Sequence, residues 1–112
     1  MDCIFCQVIS GGLPSKKVYE NEYVYAFHDI KPEAPVHVLI VPKKHIKSIL
    51  DFGEADNEYI VQLFRAAGET ARITGVDRTG FMTLCNTGED AGQTVEHFHL
   101  HILGGKKMKL KL

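Results

Sequence analysis

The sequence predicts one α+β domain over residues 1–112, with about five antiparallel strands, one long helix and one short helix. Two patterns support this fold class. Residues 54–74 place apolar side chains at the spacing of an amphipathic helix, whereas short segments elsewhere alternate with the period of two that is typical of strands. A chain of 112 residues can bury one hydrophobic core but is too short for two.

The first half of the chain predicts the short helix and three strands. The helix would stop at Gly11 and Gly12, because glycine accepts the left-handed conformation that ends helices. Strands are predicted at residues 17–20 and 23–29, joined by a tight turn, and at residues 37–41, which run into Pro42. The lysines that follow Pro42 are expected to be solvated charges.

The second half predicts the long helix and two more strands. The helix would end at Gly75, and a weaker second surface of this helix is also partly apolar. A strand is predicted at residues 81–86, and the lysine-rich tail after Gly105 could form a charged edge strand. The stripe expected to face the core consists of Ile60, Leu63, Phe64, Ala67 and Ala71.

The most informative segment is residues 93–103, where three of the six histidines occupy alternate positions. On a strand, His97, His99 and His101 would share one face, and the apolar residues between them would face the core. The row would span roughly 13 Å at about 3.3 Å per residue. One small centre cannot use all three imidazoles, so the first is expected to act apart from the other two.

Composition excludes several function classes. A net charge of −1 gives no bulk attraction to nucleic acid or to a membrane surface, and no apolar run is long enough to span a bilayer. The N-terminal residues do not resemble a secretory signal. Three cysteines cannot all pair within the chain, so a reducing, cytoplasmic location is expected.

The Cys3-x-x-Cys6 motif leaves three interpretations open. The cysteines could be a redox pair, although a thioredoxin-like site needs a preceding strand for which there is no room. They could be two unrelated buried thiols. They could also be half of a tetrahedral zinc site, for which His45 and His97 are candidate partners.

The loop at residues 87–92 is a candidate oxyanion site. Its glycines, Gly92 among them, expose backbone N–H groups that can point at a phosphate, and Asn86 and Thr94 could add side-chain donors. No Walker motif is present, because no Lys-Ser or Lys-Thr pair follows. Taken alone, the loop is better explained as an ordinary hairpin connection, and it is the neighbouring histidines that favour an oxyanion site.

These motifs together resemble the histidine-triad (HIT) superfamily, and in particular its Hint branch of nucleotide-binding phosphoramidate hydrolases. The resemblance covers nearly the whole chain and rests on motifs in the expected order: the His-x-His-x-His row, Asn86-Thr87-Gly88, and segments 4–5, 26–30, 34–37 and 41–46. It implies a homodimer in which the long helix takes part. It also implies purine nucleotides (AMP, GMP or their phosphoramidates) as ligands.

The resemblance implies a role for each site residue. His99 would attack the α-phosphorus and form a nucleotidyl-histidine, His101 would donate a hydrogen bond to a phosphoryl oxygen or the leaving atom, and His37 would orient the row from behind. No catalytic metal is required, whereas zinc would be structural, on Cys3, Cys6, His45 and His97. The implied nucleotide-binding residues are Phe5, Val8, His28, Asp29, Ile30, Asn86, Gly92, Gln93, Thr94, His99 and His101.

Three alternative functions stay open at this point. A dinucleoside polyphosphate hydrolase of the Fhit type would use similar residues. A zinc metallohydrolase could hold a metal on the row with Asp29 or His37. A nucleotide-binding regulatory protein would use the same pocket without turnover, and Asp29 could also be an ordinary turn aspartate.

Overall fold

A computed structural model describes residues 3–109. It contains five strands, two α-helices and three short 3-10 turns. The strands are β1 (Lys17–Glu20), β2 (Val24–His28), β3 (Val36–Pro42), β4 (Phe81–Leu84) and β5 (Leu100–Gly104). The α-helices are α1 (Ile4–Ser10) and α2 (Asn57–Thr74), and the 3-10 turns are Ile49–Asp51, Glu54–Asp56 and Glu89–Ala91.

The strands form one antiparallel sheet in the order β1-β2-β3-β5-β4. The predicted α+β class with one long and one short helix is therefore confirmed. Both helices end where glycine permits a left-handed residue: Gly11 has φ 87° and Gly75 has φ 86°. Within residues 3–109, no helix is long and apolar enough to cross a membrane.

The two faces of the sheet bury different clusters. Alternate residues of β2 and β3, such as Val24 and Ile40, join α2 in the larger cluster, which also contains the apolar residues of the histidine segment, Phe98, Leu100 and Ile102. The intervening residues, such as Phe27 and Leu39, join Phe5 and Val8 of α1 on the other face. The central strands are thus covered on both sides, and the imidazole row lies on the α1 side.

The structure corrects the prediction for α2. A 3-10 turn occupies Glu54–Asp56, and the α-helix begins only at Asn57. Two members of the predicted core stripe are exposed, Ile60 at 36% and Phe64 at 66%, whereas Ala66, which lies outside the predicted stripe, is fully buried. The buried stripe is rotated toward the small residues because these let α2 approach the sheet closely.

Three smaller predictions also change. Lys43 and Lys44 are not simply solvated: Lys43 pairs with Glu20, and Lys44 pairs with the buried carboxylate of Asp56 just before α2. Residues 105–109 form no strand, and the rest of the proposed edge strand lies outside the described residues. The predicted triad strand is also shorter than expected, since β5 begins at Leu100, after His97 and His99.

Candidate functional site

The sheet register brings His37 and His101 together from neighbouring strands. Leu39 lies opposite His101, and His37 lies opposite Leu103, so the two histidines are diagonal neighbours on one face. Diagonal neighbours are within reach of long or aromatic side chains. The Nε2 atom of His37 lies 2.9 Å from Nδ1 of His101.

Backbone contacts determine which nitrogens of these two rings carry protons. The N–H of Glu33 donates to Nδ1 of His37 at 3.0 Å, so the neutral His37 ring carries its proton on Nε2. That proton is donated to Nδ1 of His101. His101 then carries its own proton on Nε2, a buried atom with no hydrogen-bond partner among the described residues. The hydrogen bonds from Glu33 through His37 to His101 form a proton relay, and this relay ends in an N–H donor that makes no hydrogen bond among the described residues.

His99 has the opposite proton arrangement. Its Nδ1–H donates to the carbonyl oxygen of His97 at 2.8 Å, which leaves a lone pair on Nε2. The ring is 7% exposed and is held between Phe5 and His101, with centroid distances of 5.1 Å and 4.9 Å. The site thus combines one imidazole that offers a lone pair with a neighbour that offers a proton.

Burial favours the neutral form of these rings. It lowers the pKa of His99, and it lowers the pKa of His101 to about 4, with smaller contributions from the neighbouring charges of His99 and His37. A neutral imidazole is the nucleophilic form, so burial also favours a free lone pair on Nε2 of His99.

Asp29 connects this site to a surface cavity. Its Oδ2 atom lies 3.5 Å from Nε2 of His37, and its Oδ1 atom accepts the N–H of Lys31. A cavity of about 690 Å³ opens beside it. Its lining consists of Pro14, Ser15, Lys16, His28, Asp29, Ile30, Pro32, Pro35 and His37.

The predicted base-pocket residues divide into two groups. His28 and Ile30 line the cavity, and Ile30 is 89% exposed. Phe5 and Val8 are each only 7% exposed and pack in the smaller core cluster behind the imidazole row. Of these two, Phe5 contacts His99 directly.

The predicted oxyanion loop is braced by its own side chains. The amide of Asn86 donates to the carbonyl of Ala91 at 2.8 Å. Gln93 accepts the N–H of Gly88 and donates to the carbonyls of Lys47 and Val95. Gly92 has φ 77°, a conformation that suits glycine, and the Thr94 side chain is exposed. Asn86 and Gln93 therefore fix the shape of the loop.

A second cluster brings together Cys3, Cys6, His45 and His97. Their ligand atoms all lie within 4.8 Å of one another. The Nδ1 atom of His97 lies 3.2 Å from Nδ1 of His45, 3.3 Å from the sulfur of Cys3 and 3.6 Å from that of Cys6. A tetrahedral zinc, with bonds of about 2.05 Å to nitrogen and 2.3 Å to sulfur, places its ligands about 3.3–3.8 Å apart. The cluster therefore fits a tetrahedral Cys₂His₂ metal site.

The tautomer of His97 also suits a metal ligand. Its Nε2–H donates to the carbonyl of Pro42 at 2.9 Å, so Nδ1 presents a lone pair to the cluster. Burial, a hydrogen bond to Cys3 and the charge of Cys3 raise the pKa of the Cys6 thiol to about 11. The raised pKa favours the protonated thiol of Cys6. A bound cation would instead favour the thiolate, because metals bind thiolates. His97 thus lies in a different centre from His99 and His101, as its place in the row predicts.

Asp29, His37 and His101 form a further cluster of potential metal ligands. Here, however, the Glu33 N–H occupies Nδ1 of His37 and keeps the proton on Nε2, the atom that faces Asp29 and His101. A protonated nitrogen cannot coordinate a cation. The geometry favours a proton relay at this place over a metal centre.

Sequence reasoning missed two contributors to the site. The backbone N–H of Glu33 determines the proton positions on His37 and His101, but the sequence carries no signal for it because the Glu33 side chain takes no part. Lys16 lines the cavity beside Asp29 and His28 but looks like an ordinary exposed lysine in the sequence.

The fold and the site together define a class: a small α+β protein with an imidazole row beside the central strand pair of its sheet. The chain belongs to the HIT family, because a model of the HIT domain matches residues 10–108.

Solved structures from this family resemble the chain along its length. A histidine triad protein from Clostridium difficile is 44% identical, with a TM-score of 0.94, and the match covers 100% of this chain and 97% of that one. A HIT family hydrolase from Clostridium thermocellum is 42% identical, with a TM-score of 0.95 and coverage of 99% and 96%. A histidine triad nucleotide-binding protein from Candida albicans is 29% identical, with a TM-score of 0.86 and coverage of 99% and 84%.

Proposed function

We propose that the protein hydrolyses nucleoside 5′-phosphoramidates through a covalent nucleotidyl intermediate on His99. The observation that carries this proposal is the paired proton placement: a lone pair on Nε2 of His99 beside a buried, unpartnered N–H on His101. Nucleophilic catalysis needs the first, and a hydrogen bond to the leaving group needs the second. Two similar proteins support the proposal: one is a HIT family hydrolase from Clostridium thermocellum, and the other is a histidine triad nucleotide-binding protein from Candida albicans.

The reaction would proceed in two displacements at the α-phosphorus. In the first, Nε2 of His99 forms a bond to phosphorus while the phosphorus–nitrogen bond breaks, the leaving nitrogen takes a proton from solvent, and the Nε2–H of His101 donates a hydrogen bond to it. In the second, water attacks phosphorus and releases a proton to solvent, and the bond to His99 breaks. The products are the amine and the nucleoside monophosphate, and both histidines return to their starting states.

Hydrogen-bond donors would stabilise the charge that develops on the phosphoryl oxygens. The loop at residues 87–92 is held in shape by Asn86 and Gln93. The N–H groups of Ala91 and Gly92 donate to carbonyls within the loop, so the backbone donors would be the N–H groups of this segment that the loop does not use. The exposed hydroxyl of Thr94 is a further donor. Preorganised donors of this kind require no reorganisation during the reaction, so positioning can replace a catalytic metal.

The cavity beside Asp29 would receive the nucleoside. A carboxylate accepts hydrogen bonds from both ribose hydroxyls, and Asp29 lies at the junction between the cavity and His37. His28 and Ile30 offer flat and apolar contact for a purine base. A nucleotide bound in this way would have its α-phosphate between the cavity and the imidazole row.

We expect His101→Ala to lower kcat by about 10²–10³-fold, the usual contribution of one preorganised hydrogen-bond donor to developing charge. The loss should depend on the leaving group. The charge that develops on a leaving amine nitrogen needs a donor, whereas a stable phenolate does not, so the variant should be impaired much less with the second. Comparing kcat for an alkyl phosphoramidate and a nitrophenyl ester of AMP measures this difference. Equal losses with both substrates would exclude His101 as the donor to the leaving group.

We also propose that the cluster of Cys3, Cys6, His45 and His97 holds a structural zinc ion. Its atoms match tetrahedral spacing, and two thiolates with two imidazoles are a set that zinc prefers. The ion would join the start of α1 to His45, in the segment after β3, and to His97. Zinc would therefore stabilise the fold and take no part in the chemical steps.

We further propose a two-fold homodimer that buries the outer side of α2 and the free edge of β4. Ile49, Phe64 and Ile60 are exposed around an apolar groove beside α2, and Phe81 lies on the edge strand at 39% exposure. An exposed edge strand next to an apolar groove favours pairing with a second copy. Each protomer would contribute one complete imidazole row.

Sedimentation at micromolar concentration should therefore give twice the chain mass of 12.5 kDa. Phe64→Lys should shift the protein to a monomer, because a charge would be buried in the proposed interface. Ile30→Lys is a matched control: Ile30 is also an exposed apolar residue but lies at the cavity, so this variant should stay dimeric. A monomeric wild-type protein would contradict the proposal.

A further inference from the structure

The Cys3–Cys6 pair has chemistry that the catalytic proposal does not use. Cys3 is the N-cap of α1, and its sulfur accepts the N–H of Cys6 at 3.4 Å. The two sulfurs lie within 4.8 Å of each other. Residues three apart at a helix start have Cβ atoms about 5–6 Å apart, and a disulfide requires roughly 3.5–4.5 Å, so the bond needs a small backbone shift in the first turn of α1 together with rotation of both sulfurs.

Both cysteines are half-buried and therefore open to small oxidants. His45, which lies 3.4 Å from the sulfur of Cys6, is exposed and covers the cluster from the solvent side only in part. A cavity lined by Cys3, His45 and Thr94 reaches the cluster from the surface. A peroxide or a small-molecule disulfide can thus reach the sulfurs without unfolding the core.

The cluster of Cys3, Cys6, His45 and His97 is connected to His99 by ring packing and by a hydrogen bond. Phe5 lies between the two cysteines in α1, and its ring packs against both His97 and His99, with centroid distances of 5.9 Å and 5.1 Å. The carbonyl of His97, itself a member of the cluster, accepts the Nδ1–H of His99. A change at the cysteines therefore reaches His99 through one side chain and one hydrogen bond.

We propose that Cys3 and Cys6 form a reversible oxidation site whose disulfide releases zinc and lowers the activity of His99. This inference rests on the zinc site and the hydrolysis proposed above. With hydrogen peroxide as oxidant, one thiolate attacks a peroxide oxygen and becomes a sulfenic acid with release of hydroxide. The second thiolate then attacks that sulfur, the disulfide forms and a second hydroxide leaves. Two electrons pass from the two thiolates to the peroxide, and zinc departs because it has lost both of its thiolate ligands.

The test exposes the zinc-loaded protein to a few equivalents of hydrogen peroxide and follows three signals. Intact mass should show the loss of two hydrogens, a chromogenic chelator should show one zinc released per chain, and phosphoramidate turnover should fall at least fivefold in parallel. A dithiol reductant with added zinc should restore all three. Cys85→Ser, which removes the remaining cysteine, should respond like the wild type.

The disulfide is tested separately in protein stripped of metal, so a failure of the zinc proposal does not hide the result. Metal-free wild type treated with a disulfide oxidant should still form the Cys3–Cys6 bond, and peptide mapping should locate it. Cys6→Ser should form no internal disulfide under the same treatment. Oxidation that produces only chain-to-chain disulfides, mixed disulfides or sulfonic acids would overturn the inference. So would a disulfide that leaves both zinc content and turnover unchanged.

Discussion

The substitution His99→Asn is expected to abolish turnover while leaving nucleotide binding intact. The asparagine amide can replace the Nδ1–H of His99 as a donor to the carbonyl of His97, so the local backbone should keep its shape. It has no atom in place of Nε2 and cannot form the phosphorus–nitrogen bond. We expect kcat to fall by at least about 10⁴-fold, or roughly 5 kcal/mol of transition-state stabilisation, with AMP affinity within a few-fold of the wild type.

A matched control separates loss of the nucleophile from a general effect of changing a histidine. His28 lines the cavity and is exposed, and among the described residues its side chain makes no hydrogen bond to His37 or His101, so His28→Asn should alter KM and keep kcat within about tenfold. Steady-state kinetics and AMP titration on both variants give the comparison. If His99→Asn retains turnover within tenfold of the wild type, His99 is not the nucleophile.

The second large effect is expected on stability, from removal of the proposed zinc. The ligands come from three separate segments: the start of α1, His45 after β3, and His97. The free energy of zinc binding would therefore add to the free energy of unfolding. We expect close to one zinc per chain, and a chelator should lower Tm by on the order of 10 °C, because a domain of this size shifts by about 4–8 °C per kcal/mol.

Single variants can assign this effect to the cluster. Cys3→Ser and Cys6→Ser should lose zinc and reproduce the lower Tm, whereas Cys85→Ser and His99→Asn should keep both zinc and Tm. Elemental analysis and thermal unfolding provide the two measurements. A protein that is purified without metal, and whose Tm does not respond to the chelator, would leave the cysteines as two unrelated thiols.

Local sequence patterns predicted much of the fold because each depends on neighbouring residues. The alternation in β2 and β3 determines which side chains face α1 and which face α2, and Gly11 and Gly75 end helices through their own backbone preference. The start of β5 was not predictable in this way. Alternation continues through His97 and His99, but the hydrogen bonds of this segment go elsewhere: the backbone N–H of Phe98 donates to the carbonyl of Ile46, and the side-chain Nε2–H of His97 donates to the carbonyl of Pro42. Periodicity therefore gave the faces correctly and the strand boundary wrongly.

The candidate site was also predicted in part: residue types and spacing were informative, and proton positions were not. Residue types and spacing could indicate three imidazoles with at least two different tasks, and the cluster of His97 with Cys3, Cys6 and His45 is consistent with that prediction. Proton placement could not be predicted, because it depends on backbone atoms distant in sequence: the Glu33 N–H for His37 and the His97 carbonyl for His99. The exposure of Phe64 was also unpredictable, since spacing along a helix does not reveal how far the helix is rotated on its sheet.

The central claim is that a nucleotide becomes covalently attached to His99, and intact-mass analysis tests it most directly. The protein is mixed with adenosine 5′-phosphoramidate, quenched within one turnover and measured beside His99→Asn. Wild type should gain the mass of one adenylyl group, with peptide mapping placing it on His99, and the variant should gain nothing. An adenylate that accumulates equally on the variant, or that maps to His37, His97 or His101, would contradict the mechanism.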